Sequence, residues 1–149
     1  FTETKITHYV QELAAALRFC HEELHLMHRD LKPANVLIDQ IGTLKLADFG
    51  LSKCLSADNN LCATMVGTPL YMAPEQFRCE AYSYSADMWS LGCLTYELMA
   101  LRPPWLPSIV GGGGVDVLSN MRNVQSKAPD YVCLSTRYSP TLLQTTHWM

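Results

Sequence analysis

The sequence predicts a mainly helical α+β domain carrying short β-hairpins, and three observations lead there. The first twenty or so residues repeat apolar side chains at steps of three and four. Ser85 to Ala100 is apolar on every side. Between the two, short apolar runs alternate with turn residues. The 149 residues suffice for one hydrophobic core but not comfortably for two. Hydrophobic residues make up 48% and charged residues 17%, against about a quarter charged in ordinary domains, which excludes a disordered chain. A net charge of -3 gives no pull toward nucleic acid or an anionic membrane, and no apolar run approaches the roughly eighteen residues of a membrane span. Neither nucleic acid nor membrane is therefore expected as a partner. No signal peptide is visible, and Phe1 is not a natural start, so the true N-terminus is expected upstream.

The elements follow in order. From Thr2 to about Glu22 the stripe Ile6, Tyr9, Val10, Leu13, Ala14, Leu17, His21 and Leu24 reads as one long amphipathic helix, uninterrupted by Gly or Pro. Leu26-Met27-His28 precedes a polar loop containing Pro33. Val36-Leu37-Ile38 is a short strand, Asp39 to Gly42 a turn, and Thr43 to Ala47 the returning strand of a hairpin. Residues 50–75 show little periodicity and read as a long loop of the kind that carries function. Ser85 to Ala100 reads as a buried helix whose charges are Asp87, in the first turn where a carboxylate suits the helix dipole, and Glu97. Pro103-Pro104 closes that segment. Gly111 to Gly114 reads as a flexible connection, Val115 to Asn123 as a short helix, and Ser139-Pro140 as an N-cap with proline in the first helical position, opening a helix that runs about ten residues to Met149.

Six cysteines stand at 20, 54, 62, 79, 93 and 133, none in a CxxC pair. They read as free thiols in a reducing compartment, so the expected location is intracellular, in the cytoplasm. Cys54 and Cys62 flank a polar loop exposed to oxidation.

The residues that carry chemistry are concentrated. His28-Arg29-Asp30-Leu31-Lys32-Pro33-Ala34-Asn35 is followed by Asp48-Phe49-Gly50, then by Gly67-Thr68-Pro69-Leu70-Tyr71-Met72-Ala73-Pro74-Glu75, then by Asp87-Met88-Trp89-Ser90-Leu91-Gly92. Asp30, Lys32 and Asn35 share one loop between two short apolar strands, and the next hairpin returns Asp48 toward Asn35. A carboxylate and an amide oxygen together suit a hard cation such as magnesium, whose other ligands are waters and phosphate oxygens. Asp30 is placed to accept a proton from an incoming hydroxyl, and Lys32 to offset phosphate charge. The pattern points to metal-assisted phosphoryl transfer.

These four motifs, in this order, resemble the signature set of eukaryotic protein kinases. Gly67 to Glu75 and the long first helix look most like the NIMA-related serine/threonine kinases. The resemblance implies an α+β kinase-like C-terminal lobe, mainly α-helical with two short β-hairpins, residues 1–149 forming a partial kinase domain truncated at both ends. It implies Asp30 and Lys32 as catalytic, Asn35 and Asp48 as magnesium ligands, and Leu37 beneath the adenine of ATP. Lys32 matches serine/threonine rather than tyrosine kinases. Thr68 matches the substrate-docking loop. Arg29 resembles the arginine that clamps a phosphorylated activation loop, with Thr64 as the phosphate carrier and an upstream activating kinase as a further partner. His28 and Phe49 resemble members of an apolar stack that registers the active state, and Asp87 the buried aspartate that holds the catalytic loop.

A competing motif, His21-Glu22-Glu23-Leu24-His25, fits the zinc-protease pattern His-Glu-x-x-His. Its position at the end of a helix, with a charge at Glu23, makes it a coincidence of sequence. The departure from the family is one of extent. A Gly-rich loop, a strand lysine and its partner glutamate are not among these residues, nor is the arginine that would pair with Glu75. The stretch 106–131 fits poorly. Two readings follow: part of a serine/threonine kinase that transfers the γ-phosphate of ATP to protein hydroxyls, or a truncated, non-catalytic kinase-like module acting by protein binding.

Overall fold

A computed structural model describes residues 1–55, 65–105, 129, 131 and 134–146. Helix α1 runs Glu3–Glu22. Thr2 caps it, its hydroxyl accepting the Lys5 N–H at 3.4 Å. Ile6, Tyr9, Leu13, Leu17 and Cys20 form its buried face. The expected stripe differs at its end: the helix stops at Glu22, His25 takes a left-handed φ of 50°, and Leu24 is exposed.

Two two-stranded sheets follow. Strands β2 (Val36–Ile38) and β3 (Leu44–Leu46) form the expected hairpin, Leu37 facing Lys45. Glu12 of α1 accepts the Leu44 N–H at 3.0 Å and pins the hairpin to the helix. The second expected hairpin is not one. Strand β1 (Leu26–Met27) pairs antiparallel with β4 (Lys53–Cys54), far along the chain, and encloses the first hairpin. The described residues of 50–75 accordingly are not plain loop: they include β4, two residues of a 3-10 turn over Phe49–Leu51, and another 3-10 turn over Pro69–Tyr71, and they run into the short helix α2 (Pro74–Phe77). Two-residue strands have no periodicity to read, so only long-range pairing defines them.

Helix α3 spans Ser85–Ala100 as expected and ends where Leu101 turns left-handed, its N–H bonded to Glu97 O. Its all-round apolarity has a structural cause. Ala86 packs with Met27, Leu55, Ala73 and Tyr82. Cys93 packs with Tyr71, Met72, Phe77 and Trp105. Tyr96 and Met99 pack with Ile6, Leu134 and Leu142. Leu91 and Leu94 pack with Leu13, Leu17 and Leu31, with Val36, Leu44 and Leu46 against them. One rod thus serves four apolar clusters, each fully buried aliphatic contributing about 1.5–3 kcal/mol. Met88 is the exception, exposed on the outer side. Trp89 stacks on Trp105 with centroids 5.5 Å apart.

Helix α4 is Pro140–Gln144, shorter than expected, with Ser139 as its N-cap. Ser139 also donates its N–H (2.9 Å) and its hydroxyl to Glu3, joining α4 to the start of α1. The Gly111–Gly114 run, the expected helix at Val115–Asn123, Thr64, Cys62 and Cys133 lie outside the described residues, as do 147–149. The four described cysteines are unpaired, Cys20 and Cys93 buried, Cys54 and Cys79 exposed. Burial pushes the thiols of Cys20 and Cys93 above the ordinary range. No described helix is long and apolar enough to cross a membrane.

The packing predicts a contrast within one helix. In the intact protein, Leu17→Ala should cost about 2–5 kcal/mol of stability, and Phe19→Ala, two residues on but exposed, less than about 0.5 kcal/mol, measured by urea denaturation.

Candidate active site

The site is assembled on one buried carboxylate. Asp87, in the first turn of α3, is 1% exposed. Its Oδ2 accepts the His28 N–H at 2.9 Å and its Oδ1 the Arg29 N–H at 2.8 Å. These bonds hold two consecutive amides at the exit of β1, where Arg29 adopts a φ of 68°, sterically costly for a residue with a Cβ. The turn throws Asp30 and the residues after it to one side.

Asp30 is the centre of the cluster. Thr68 Oγ1 donates to its Oδ1 at 2.7 Å, and Lys32 Nζ sits 2.7 Å from its Oδ2. Asn35 Nδ2 donates to Asp30 Oδ2 at 3.1 Å and to its backbone carbonyl at 2.8 Å. Lys32 also donates to Thr68 Oγ1 at 2.8 Å. Burial alone would raise the Asp30 pKa. The donors from Lys32, Thr68 and Asn35, with the Lys32 charge, outweigh it and hold the carboxyl below its ordinary value. Asp30 is thus a carboxylate at neutral pH, shielded from water but not from polar partners.

Thr68 reaches Asp30 because Gly67 lets the backbone pass close to the loop. Gly67 has a φ of 117°, and a Cβ there would lie 2.6 Å from the Arg29 carbonyl oxygen. The segment beyond is fastened to the core: Ser90 donates to Tyr71 O at 2.7 Å, and Tyr71 OH to Glu97 at 2.6 Å. Burial, with the Glu97 carboxylate beside it, pushes the Tyr71 phenol up. Gln76 accepts the Ala73 N–H and donates to Val66 O.

On the other side, Ala47 N–H bonds to Asn35 O at 2.9 Å, so the hairpin returns Asp48 next to Asn35 as the sequence suggested. Asp48 is exposed, with a left-handed φ of 59°, and accepts the Gly50 N–H at 3.2 Å. His28 is fully buried. Its Nε2 donates to Ala47 O at 3.0 Å, and its ring meets Phe49 edge-on, centroids 4.8 Å apart. A carbonyl oxygen only accepts, so the ring proton sits on Nε2. Arg29 Nε donates to Leu51 O at 2.6 Å.

The Asn35 amide directs its nitrogen to Asp30. Its oxygen takes no hydrogen bond among the described residues, and the Asn35 backbone carbonyl is bonded to the residue before Asp48. One amide oxygen and one exposed carboxylate are a hard-oxygen donor pair that fits magnesium. Leu37 is 54% exposed on β2, on the open face of the hairpin. Of the residues singled out from sequence, Asp30, Lys32, Asn35 and Thr68 form one bonded cluster, Asp48 adjoins it, Arg29 anchors its backbone, and Leu37 stands on the strand beyond.

The His-Glu-x-x-His match is a coincidence, as its place in the sequence implied. His21 reaches not a metal but Asp87, its Nε2 2.7 Å from Oδ2. His25 is off the helix, so the two histidines do not share a face, and no group of three His, Cys, Asp or Glu suited to a metal occurs among the described residues. A distance of 66 residues separates His21 from Asp87, and no local pattern signals it.

The sequence matches the family model for the protein kinase domain over residues 1–136. It is 47% identical over 107 residues to the serine/threonine-protein kinase Nek2 of Mus musculus, covering 69% of this chain and 24% of that protein. Nek2 of Homo sapiens is 46% identical over the same length and coverage. The serine/threonine-protein kinase fused of Drosophila melanogaster is 46% identical over 98 residues, 66% of this chain and 12% of that one. The chain thus spans at most about a quarter of the length of these relatives. The likeness to Nek2 agrees with the NIMA-related character read from Gly67 to Glu75.

The cluster makes a prediction about protonation. Asp30, lower in pKa folded than unfolded, stabilises the fold above its ordinary value near 3.8, and that contribution is lost as pH falls through the lowered value. Replacing Lys32→Met removes a donor and a charge, so the Asp30 midpoint should rise, read by carboxyl-carbon NMR titration.

Proposed function

This chain belongs to the protein kinase family, and from that membership we propose that it forms the C-terminal lobe of a protein serine/threonine kinase, transferring the γ-phosphate of ATP to Ser and Thr hydroxyls of proteins. The observation that carries the reading is the Asp30 carboxylate held at both oxygens by Thr68, Lys32 and Asn35. Asp30 orients the substrate hydroxyl and accepts its proton. Lys32, shared between Asp30 and Thr68, offsets the charge gathering on the transferred group. Asn35 and Asp48 hold magnesium, which when bound neutralises charge on the phosphate oxygens. Leu37 lies under the adenine ring, and its exposure here leaves that face open to a nucleotide and a covering lobe. Thr68 joins the protein substrate's docking loop to Asp30. Arg29 receives a phosphate placed on Thr64 by an upstream kinase.

The second reading, a kinase-like module that acts by binding proteins, draws on the open apolar face. Leu37, Ile38, Ile41, Phe49 and Leu51 are all exposed. A cavity of about 330 Å3, walled by Tyr9, Leu13, Val36, Ile38, Leu94 and Leu98, opens beside the hairpin. The intact catalytic cluster favours the enzyme.

Two measurements test the proposal. In the intact protein, Asp30→Asn should lower kcat for peptide phosphorylation by about 10²–10⁴-fold with nucleotide affinity nearly unchanged. Asp48→Asn should weaken magnesium-ATP binding as well, measured by calorimetry. Near-wild-type turnover in both variants would overturn the assignments. Expressed alone, residues 1–149 should associate through the open apolar face and show no rise in melting temperature with magnesium-ATP. A sharp melt that rises with magnesium-ATP would show a self-sufficient nucleotide-binding domain and refute the lobe assignment.

A further inference from the structure

The two residues assigned to magnesium stand at one end of the β2–β3 hairpin, but they are not held equally. Asn35 is tied twice, its Nδ2 to Asp30 and its carbonyl to the Ala47 N–H. Asp48 is exposed and takes its position from β3, which ends two residues before it. The inner edge of β3 pairs with β2, with Asp39 N–H bonded to Thr43 O near one end and Ala47 N–H to Asn35 O at the other. Bonded and unbonded pairs alternate along an antiparallel ladder, so Leu44, opposite Ile38, falls at an unbonded position and turns its N–H away from β2. That outer edge meets α1. Glu12 borders the buried face of the helix beside Leu13, and its Oε2 accepts the Leu44 N–H at 3.0 Å. Leu44 and Leu46 also pack against the apolar cluster that contains Leu13 and Leu17. Apolar contact is non-directional and lets a strand slide, whereas a hydrogen bond to one amide fixes where the strand sits.

We propose that Glu12 is a positioning residue for the magnesium site, its carboxylate fastening the outer edge of β3 to α1 and so setting where Asp48 stands beside Asn35. The inference rests on the reading of Asn35 and Asp48 as the metal-holding pair. Glu12 acts as a hydrogen-bond acceptor and not as a charge. Its other oxygen, Oε1, lies 3.7 Å from His8 Nε2, but the His8 side chain is 58% exposed, and an exposed pair four residues apart on a helix contributes little. Without the acceptor the Leu44 N–H loses its partner. Strand β3 then pivots about the Ala47–Asn35 bond, carrying Asp48 with it, while Asp30 still holds the Asn35 side chain.

Three substitutions of Glu12 and one of His8 in the intact protein test this. Glu12→Gln keeps an acceptor oxygen at the same reach and removes the charge. Glu12→Asp keeps the charge but falls one methylene short. Glu12→Leu removes both. Hydrogen exchange at the Leu44 amide, read without metal or nucleotide, should be about tenfold faster in Glu12→Leu and Glu12→Asp and near wild type in Glu12→Gln, with the Leu94 amide of α3 unchanged throughout. Magnesium-ATP affinity, by calorimetry, should fall about tenfold in Glu12→Leu and Glu12→Asp and stay within about twofold in Glu12→Gln and His8→Ala. Unchanged exchange in Glu12→Leu and Glu12→Asp overturns the proposal, as does faster exchange with affinity retained. A loss in Glu12→Gln or His8→Ala equal to that in Glu12→Leu overturns it too, since charge would then be what matters. A wild-type protein that binds no magnesium-ATP would refute the kinase reading, whereas a wild-type protein that binds it, with Glu12 variants that bind it as well, refutes the proposal alone. Should Glu12→Leu fail to fold, Glu12→Asp against Glu12→Gln decides it.

Discussion

The Asp87 carboxylate accepting two successive backbone N–H groups is the contact on which the arrangement of the site depends. A buried carboxylate is costly to desolvate unless hydrogen bonds replace water, and here three donors do so. The donors come from two parts of the fold: the end of α1, and the two residues after β1, the second of them the strained Arg29. One side chain near the start of α3 therefore sets where the chain leaves β1 and which way Asp30 faces. Because α3 is wrapped by four apolar clusters, it is the least movable element available for the purpose.

Asp30 shows a second balance of the same kind. Desolvation opposes its charge, while an ammonium, a hydroxyl and an amide favour it, and the donors win. The partners also fix its direction, since both oxygens are engaged. Such a group is less basic than a carboxylate of equal burial without those donors, which in the proposed reaction favours holding a hydroxyl in place as much as pulling its proton. Gly67 matters for the same reason. With a Cβ in that position the backbone would not approach Arg29, and Thr68 would not reach Asp30.

The core and the open face divide the molecule. The inner face of α1, the core side of the hairpin and nearly all of α3 are closed by packing. Leu37 and Ile38, on opposite faces of β2, and Phe49 and Leu51 after Asp48 are all exposed. Asn35 is buried and Asp48 exposed, so the pair proposed to hold magnesium lies at the edge of the packed loop.

How much was legible in the sequence depends on the range of the interactions involved. The two long helices, the β2–β3 hairpin and the Ser139 cap could be read because periodicity, turn residues and capping act within a few residues of each other. The cluster of Asp30, Lys32 and Asn35 was legible because these residues share one loop. Strand β4 and its pairing with β1 were not legible because two residues carry no period. The end of α1 at Glu22 was legible, but the apolar spacing carried on to Leu24, which is exposed where the backbone turns at His25. The role of His21 was hidden for a different reason, since its partner Asp87 is brought to it only when α1 and α3 pack. The sequence by itself determined the family, the helices and the identity of the chemical groups. Only the tertiary structure decided which of those groups meet, because hydrogen bonds between residues far apart in the chain form only after burial of the apolar faces has brought them together.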